Sequence, residues 1–278
     1  VDEYPLERVE KITGVDKALI AEAARMYATA DGASIPWTPI TDQQISSTSA
    51  IRLHSILRAV TGNLDVVGGD TLGGFNPSYI PESELGLHEV LSPEQKAKQM
   101  GYDDHPVYTY RVAEMLKEPT EKVWGFPYAD IVMGCHMANP TNVFRAMKTE
   151  QPYPIKAFIV LGNNALLSYP NQHQILEAMM NQELIVAHEL FMTPTAMLAD
   201  YILPGDVFTE RNHVADSWSW TTRLTLSQKV VEPPEQASST YQFWHDLAVR
   251  FGFGNEFPWQ SIEEVLDHRL ARSGRTFR

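Results

Sequence analysis

The sequence predicts an α/β fold in which helices flank a Rossmann-like parallel sheet. The clearest support is the stretch from Lys156 to Pro204. Apolar runs at Ala157–Leu161 and at 184–187 have strand length, a segment of helix length separates them, and a third short run closes at Pro204. Such continuous runs are typical of βαβ units, because parallel strands are buried on both faces.

The first part of the chain, 1–77, is predicted to be the end of one α/β cofactor domain. Asp16 is placed to cap a helix within residues 5–30, and Gly62 is a natural stop for an amphipathic helix over 46–60. Between these helices we predict a short strand at 34–37 and a polar loop at 41–44.

A glycine-rich passage over 68–76 follows the second helix. It lacks the G-x-G-x-x-G and G-x-x-x-x-G-K-[ST] spacings, so it supports neither a nicotinamide-type fingerprint nor a P-loop. A plain connection is at least as good an interpretation as a phosphate cradle.

Residues 78–128 are predicted to be an insertion or cover segment, since they are rich in Pro, Glu, Gly and Tyr and show helical periodicity only over 107–117. The third part, 129–278, is predicted to be a second α/β domain. It begins with a short strand at 129–134 and a helix at 143–148 before the central stretch.

The segment after Pro204 is predicted to contain a strand within 221–231 and two closing helices, at 240–251 and 261–270. By residue type, Ser261 is expected to cap the last helix.

Composition excludes several classes of function. A net charge of −13 argues against nucleic-acid binding, which needs a basic footprint. No run approaches the roughly 20 apolar residues that a membrane span requires, so we expect no direct membrane insertion. Cys135 is the single cysteine, which excludes a cysteine cluster for metal or iron–sulfur binding within this chain. A buried thiol is the simplest interpretation of Cys135.

Polar residues follow the first two strands of the central stretch. Ligands collect at the carboxyl ends of such strands. Gly162 permits close approach to the backbone, and Asn163 and Asn164 carry both donors and acceptors. Glu189 offers a pair of acceptors, which can take the N1–H and N2–H₂ donors of a guanine base, a pairing that adenine cannot reproduce.

Two threonines and an aspartate complete the candidate site. The hydroxyls of Thr193 and Thr195 suit a phosphate or a ribose. By spacing alone, an equally good hypothesis is that these threonines and the two asparagines only cap and turn the chain. Asp200 is better interpreted as a structural hydrogen-bond partner.

No catalytic or metal-binding constellation is evident. The histidines form no H-E-x-x-H pair or compact cluster, and no G-x-S-x-G elbow occurs. We therefore predict no catalytic residue and no metal ligand within the chain.

The run LIVAHELFMTPTAMLADYILP resembles a signature of the molybdopterin oxidoreductases, the family of formate dehydrogenases and dimethyl sulfoxide reductases. Thr193, Thr195, Ala196, Asp200 and Pro204 fit its T-x-T-A and A-D-x-x-L-P parts. The G-N-N-A sequence that begins at position 162 is similar to the family's G-E-N-P motif, and LRAVTGNLDVVGG to its LTGNIGRPGG segment.

The resemblance implies a molybdenum or tungsten ion held by two molybdopterin guanine dinucleotides, with two-electron redox or, less often, hydration chemistry. It implies that residues like 129–204 carry one dinucleotide. The expected contacts are Gly162, Asn163, Asn164, Glu189, Thr193 and Thr195, and Asp200 is a further candidate.

The family's metal-ligating residue, amino-terminal iron–sulfur cysteines and carboxyl-terminal barrel have no match here. We therefore expect an internal fragment of a multidomain enzyme, inactive alone. The resemblance also implies a possible 4Fe-4S cluster in the missing amino-terminal part and an iron–sulfur electron-transfer subunit as partner. The compartment, prokaryotic cytoplasm or periplasm, stays open.

Three alternatives remain at this point. The chain can belong to a non-redox hydratase of the same family, or to a cofactor-free structural relative such as the large subunit of respiratory complex I. A generic nucleotide-binding α/β module is the third. Retention of Gly162, Glu189, Thr193 and Thr195 favours a cofactor-binding member, because a scaffold has no need of guanine or phosphate ligands.

Overall fold

The structure is a computed structural model, and it describes residues 3–36, 38–71, 78–80, 82–86, 88–125, 137–215 and 224–277. The chain divides into two compact units, Val1–Gly74 and Phe75–Arg278. The boundary expected near residue 128 lies outside the described residues, as do the predicted strand at 129–134 and Cys135.

The first unit contains the predicted helices. Its helices are α1 (Leu6–Thr13), α2 (Lys17–Thr29), α3 (Pro39–Asp42) and α4 (Ser47–Thr61). Asp16 caps α2 as predicted, since its carboxylate accepts from Ala18 N at 2.7 Å. Gly62 ends α4 with a φ of 72°, a left-handed conformation that glycine adopts without strain.

Two predictions for the first unit are wrong. The described residues from 34 to 36 form no strand, because polar side chains rather than a neighbouring strand take their backbone groups: Ile35 N donates to Asp70 and Ile35 O accepts from Arg58. The expected loop at 41–44 begins inside α3, where Pro39 at the first helical position is preorganised for a helix.

A polar network fixes the glycine-rich turn of this unit. Asn63 is 3% exposed, accepts from Ala33 N at 2.9 Å and donates to Tyr27 O at 3.1 Å. Arg58 Nε lies 2.6 Å from Asp70 Oδ2. Partial burial raises the pKa of the Asp70 carboxyl, but hydrogen bonds from Ile35 N and Ser34 and the charge of Arg58 outweigh it, so the pKa is lowered.

The second unit begins with short helical turns and one longer helix. These are α5 (Glu82–Leu85), a 3₁₀ turn (His88–Val90), α6 (Pro93–Lys96) and α7 (Tyr110–Trp124). The prediction of a single helix at 107–117 is therefore wrong in both bounds. The helix begins only after Thr109, whose hydroxyl donates to Pro106 O, and it continues through Pro119 to the left-handed Gly125.

The predicted parallel sheet is confirmed. Its elements, with the preceding helix, are α8 (Pro140–Thr149), β1 (Ala157–Leu161), α9 (Ala165–Ser168), α10 (Gln172–Met180), β2 (Leu184–Glu189) and β3 (Tyr201–Pro204). The strands lie in the order β1-β2-β3, with β2 parallel to both neighbours. Strand β2 runs two residues further than the apolar pattern indicated, and the helical segment after β1 is split in two.

An apolar core joins this sheet to its helices. Phe144 and Met147 of α8, Ile175 and Met179 of α10, and Ile185 of β2 are all buried in one cluster. Helices α8 and α10 therefore cover the sheet around Ile185, and the polar residues at the carboxyl ends of β1 and β2 take no part in this core.

The rest of the second unit is an antiparallel pair and two helices. These are β4 (His213–Ala215), β5 (Thr225–Ser227), α11 (Thr240–Arg250) and α12 (Ile262–Leu270). The predicted strand within 221–231 is shorter than expected over its described residues. The Ser261 cap is confirmed, since its hydroxyl accepts from Glu264 N at 3.3 Å. Within the described residues, no helix has the length and apolar character of a membrane span.

Candidate functional site at the carboxyl edge of the sheet

The strand register places three chain positions side by side at the carboxyl edge. Leu161 pairs with His188, and Glu189 pairs with Pro204. Gly162 N then donates to His188 O at 3.1 Å, which continues the ladder one step. Gly162, Glu189 and Pro204 therefore form one row across β1, β2 and β3, with neighbouring strands about 4.8 Å apart.

The first position of this row is open. Gly162 has a φ of 55°, and a Cβ built there meets no atom of the described residues within 4 Å, its two chain neighbours aside. Glycine is thus needed for the backbone turn and not because a neighbour crowds it. Asn163 beside it is exposed to solvent. The backbone at Gly162 therefore has open space on the side where a Cβ would stand.

Glu189 is half-buried, and within the described part of the chain its carboxylate accepts one weak hydrogen bond, from Leu190 N at 3.3 Å. Its neighbour His188 points to the opposite face, as alternation along a strand requires. His188 is 5% exposed, its Nε2 lies 2.9 Å from Ser238 O, and its ring packs on Phe243. The histidine is therefore structural, whereas the carboxylate keeps acceptor capacity.

Thr195 is fully buried at 0% exposure. Its hydroxyl donates to Asn164 Oδ1 at 2.8 Å and accepts from Leu166 N at 3.0 Å. The loop after β1 is thereby tied to the loop after β2, a pairing that spans 31 residues of sequence. Sequence spacing gave no signal for it.

Thr193 and Asp200 both serve the local backbone. The Thr193 hydroxyl accepts from Ala196 N at 3.1 Å, at the start of the 3₁₀ turn Ala196–Leu198. Asp200 Oδ2 accepts from Ile185 N at 2.8 Å, the structural hydrogen bond expected of it, while its contact with the cofactor stays a prediction. A capping contact is present for Thr193, whereas the Asn164 side chain makes no capping bond to the helix that follows it. The cofactor contacts of both asparagines and both threonines stay predictions.

Sequence reasoning missed an apolar group beside the site. Leu190, Phe191, Met192 and Met197 are between 49% and 78% exposed, with Phe191 the most exposed. The signal was present in the sequence, because Leu190, Phe191 and Met192 directly follow the acidic end of a strand, but the apolar pattern assigned them no role. Among the described residues, no group of three or more His, Cys, Asp or Glu side chains is placed to hold a metal ion.

Comparison with known proteins identifies the family of the chain. The model of the molybdopterin oxidoreductases matches residues 57–250, most of the chain. The chain belongs to this family. Its fold and the resemblance inferred from the sequence are thereby confirmed. Members of the family are enzymes for which a molybdenum or tungsten pterin cofactor is expected, and among the relatives are oxidoreductases and a hydratase.

Individual relatives cover the whole chain. Acetylene hydratase from Syntrophotalea acetylenica is 46% identical over 274 residues, which are 99% of this chain and 37% of the relative. Formate dehydrogenase H from Escherichia coli is 29% identical over 269 residues, which are 96% of this chain and 34% of the relative.

Among solved structures, acetylene hydratase from Pelobacter acetylenicus matches with a TM-score of 0.87 and 45% identity over 99% of this chain and 38% of its own. The chain therefore spans little more than a third of the length of these relatives. Some relatives are named as single subunits, such as the alpha subunit of F420-dependent formate dehydrogenase from Methanocaldococcus jannaschii.

Proposed function

We propose that the carboxyl edge of β1 and β2 binds the guanosine part of a molybdopterin guanine dinucleotide in the intact protein. The observation that carries the proposal is the position of Glu189, whose half-buried and scarcely used carboxylate lies beside the open turn at Gly162. Both are in the row that the strand register defines.

The donors and acceptors present fit this group. A guanine edge offers two adjacent N–H donors, and an ionised carboxylate is the side chain that accepts from both. Adenine lacks this pair of donors, so Glu189 would select guanine by leaving a half-buried carboxylate unsatisfied with the wrong base. Asn163, which is exposed, has both a donor and an acceptor for ribose or phosphate.

The bound group would supply the molybdenum or tungsten centre at which the reaction takes place. The role of this chain is to hold and orient one end of it. Glu189 would fix the base, the loop from Gly162 to Asn164 would contact the sugar or phosphate, and the sealed core under β2 would keep these groups in place. None of the candidate residues is assigned a proton transfer.

A hydration reaction is a second candidate for the intact protein, beside an oxidoreduction. It is favoured by the 46% identity to acetylene hydratase, against 29% to formate dehydrogenase H. In the redox case an iron–sulfur subunit and a 4Fe-4S cluster would carry electrons, whereas hydration needs no external electron carrier. A cofactor-free scaffold is disfavoured, because it would have no use for a half-buried carboxylate with spare acceptor capacity at Glu189.

The proposal is tested on the intact protein purified without oxygen. We expect molybdenum or tungsten by elemental analysis, pterin fluorescence after oxidative release, and GMP after acid hydrolysis. Preparations that lack metal, pterin and GMP together would contradict the proposal and support the scaffold alternative.

The same preparation decides between the two reactions. Addition of water to acetylene, which yields acetaldehyde, supports the hydratase, whereas formate oxidation with an artificial electron acceptor supports the oxidoreductase.

A further inference from the structure

Thr195 links the two loops that form the proposed nucleotide site, although no part of it reaches solvent. The hydroxyl donates its proton to Asn164 Oδ1 and accepts from Leu166 N, at 2.8 Å and 3.0 Å. At 0% exposure, the side chain has no surface for a nucleotide to touch.

We propose that Thr195 is a positioning residue that holds the loop 162–166 in its nucleotide-binding shape and acts through Asn164, without a contact of its own to the nucleotide. This inference rests on the proposed function of the same sheet edge.

The loop needs an external tie because its own side chains do not cap the helix that follows. Asn164 precedes α9 and makes no side-chain capping bond to it, while its carbonyl accepts from Leu167 N and Ser168 N. Leu166 N is among the first N–H groups of this helix, which have no partner within the helix. The Thr195 hydroxyl supplies that partner from another loop.

The other end of the loop is tied as well. Gly162 N donates to His188 O of β2 at 3.1 Å, so the exposed Asn163 stands between two anchored ends. When one anchor is lost, the loop can sample further conformations, and a ligand must select the competent one. Binding then weakens without the loss of any direct contact.

The first test replaces Thr195 with valine, which has nearly the same volume but no hydroxyl. In the intact protein prepared without its cofactor, we expect calorimetric titration to show about tenfold weaker GDP binding, since the variant removes both hydrogen bonds of this hydroxyl and one to two ordinary hydrogen bonds are worth about that factor. Thr195→Ser keeps the hydroxyl and should bind GDP within about twofold of the parent.

Thr109→Val is the matched control. Thr109 is also 0% exposed, and its hydroxyl donates to Pro106 O at 2.6 Å before α7, outside the strand-end loops. We expect this variant to lose stability and keep its GDP affinity. If Thr195→Val behaves in the same way, with lower stability and unchanged affinity, Thr195 has a merely structural role and the inference is overturned.

A second measurement needs no ligand. The amide of Leu166 should exchange slowly in the parent and in Thr195→Ser, and faster in Thr195→Val, by hydrogen exchange with mass spectrometry. Unchanged protection of Leu166 in Thr195→Val would overturn the inference while leaving the proposed function intact. Failure of the parent itself to bind GDP would instead overturn the proposed function, and with it the role of Thr195 in nucleotide binding.

Discussion

Different interactions stabilise the interior of each of the two units. In the described part of the first unit, no apolar side chain is buried, and Leu53, Ile56 and Val60 of α4 are all more than half exposed. Its order comes from capped helices and the network around Asn63 and Asp70. The second unit is instead stabilised by an apolar cluster packed on the sheet.

The difference explains where a ligand site can be built. A core such as that around Ile185 fixes the strands without using polar groups, so the residues at the strand ends remain available. In the first unit the polar groups of Asn63, Asp70 and Arg58 already form hydrogen bonds with the backbone and with one another. We therefore expect the two units to respond differently to the removal of apolar and of polar groups.

The largest effect is expected from Ile185→Ala in the core of the second unit. Ile185 is 4% exposed, and a large-to-small change at such a site costs about 2–5 kcal/mol. Urea denaturation measures the loss, and hydrogen exchange should locate it in β1 and β2. Ile202→Ala on β3 is the control, because Ile202 is 39% exposed and should cost clearly less. Equal losses of unfolding free energy in the two variants would contradict the claim that the buried core stabilises the second unit.

A smaller, pH-dependent effect is expected from Asp70→Asn in the first unit. The loss of charge opposite Arg58 should cost about 1–3 kcal/mol at neutral pH. Because folding lowers the pKa of Asp70 from its ordinary value of 3.8, the carboxylate stabilises the fold above that pH, and the contribution is lost as pH falls through the folded pKa. Hydrogen exchange of residues 33–35 and 63–70 at several pH values should therefore show variant and parent converging below about pH 4.

Asp103→Asn serves as the control for this change. Its partner Arg111 lies at 2.9 Å, but the aspartate side chain is 82% exposed. Such surface pairs contribute less than about 1 kcal/mol. If Asp70→Asn were as mild as Asp103→Asn at neutral pH, the polar network would not hold the first unit together.

The sequence predicted the sheet because apolar runs of strand length, separated by a segment of helix length, are typical of βαβ units. The strands at Ala157–Leu161 and at Tyr201–Pro204, and the caps at Asp16 and Ser261, follow from local pattern and residue type. Segment 34–36 was mispredicted, because its partners Arg58 and Asp70 lie more than 20 residues away and act through side chains.

The candidate site was predicted only in part for the same reason. Strand-end position alone selected Gly162 and Glu189, and the register confirms that they are neighbours. The two bonds of the Thr195 hydroxyl connect loops about 30 residues apart, so no local pattern contains them. Residue type could suggest that a threonine binds something, but not that its partner is Asn164.

The most direct test of the central claim compares GDP and ADP binding to the intact protein without its cofactor, before and after Glu189→Gln. Glutamine keeps the size of the side chain but cannot accept from both N–H groups of guanine, so we expect GDP affinity to fall by about 1.5–3 kcal/mol. ADP affinity and the urea midpoint should stay unchanged. Equal GDP affinity in the parent and in Glu189→Gln, by calorimetric titration, would contradict the assignment of Glu189 as the guanine ligand.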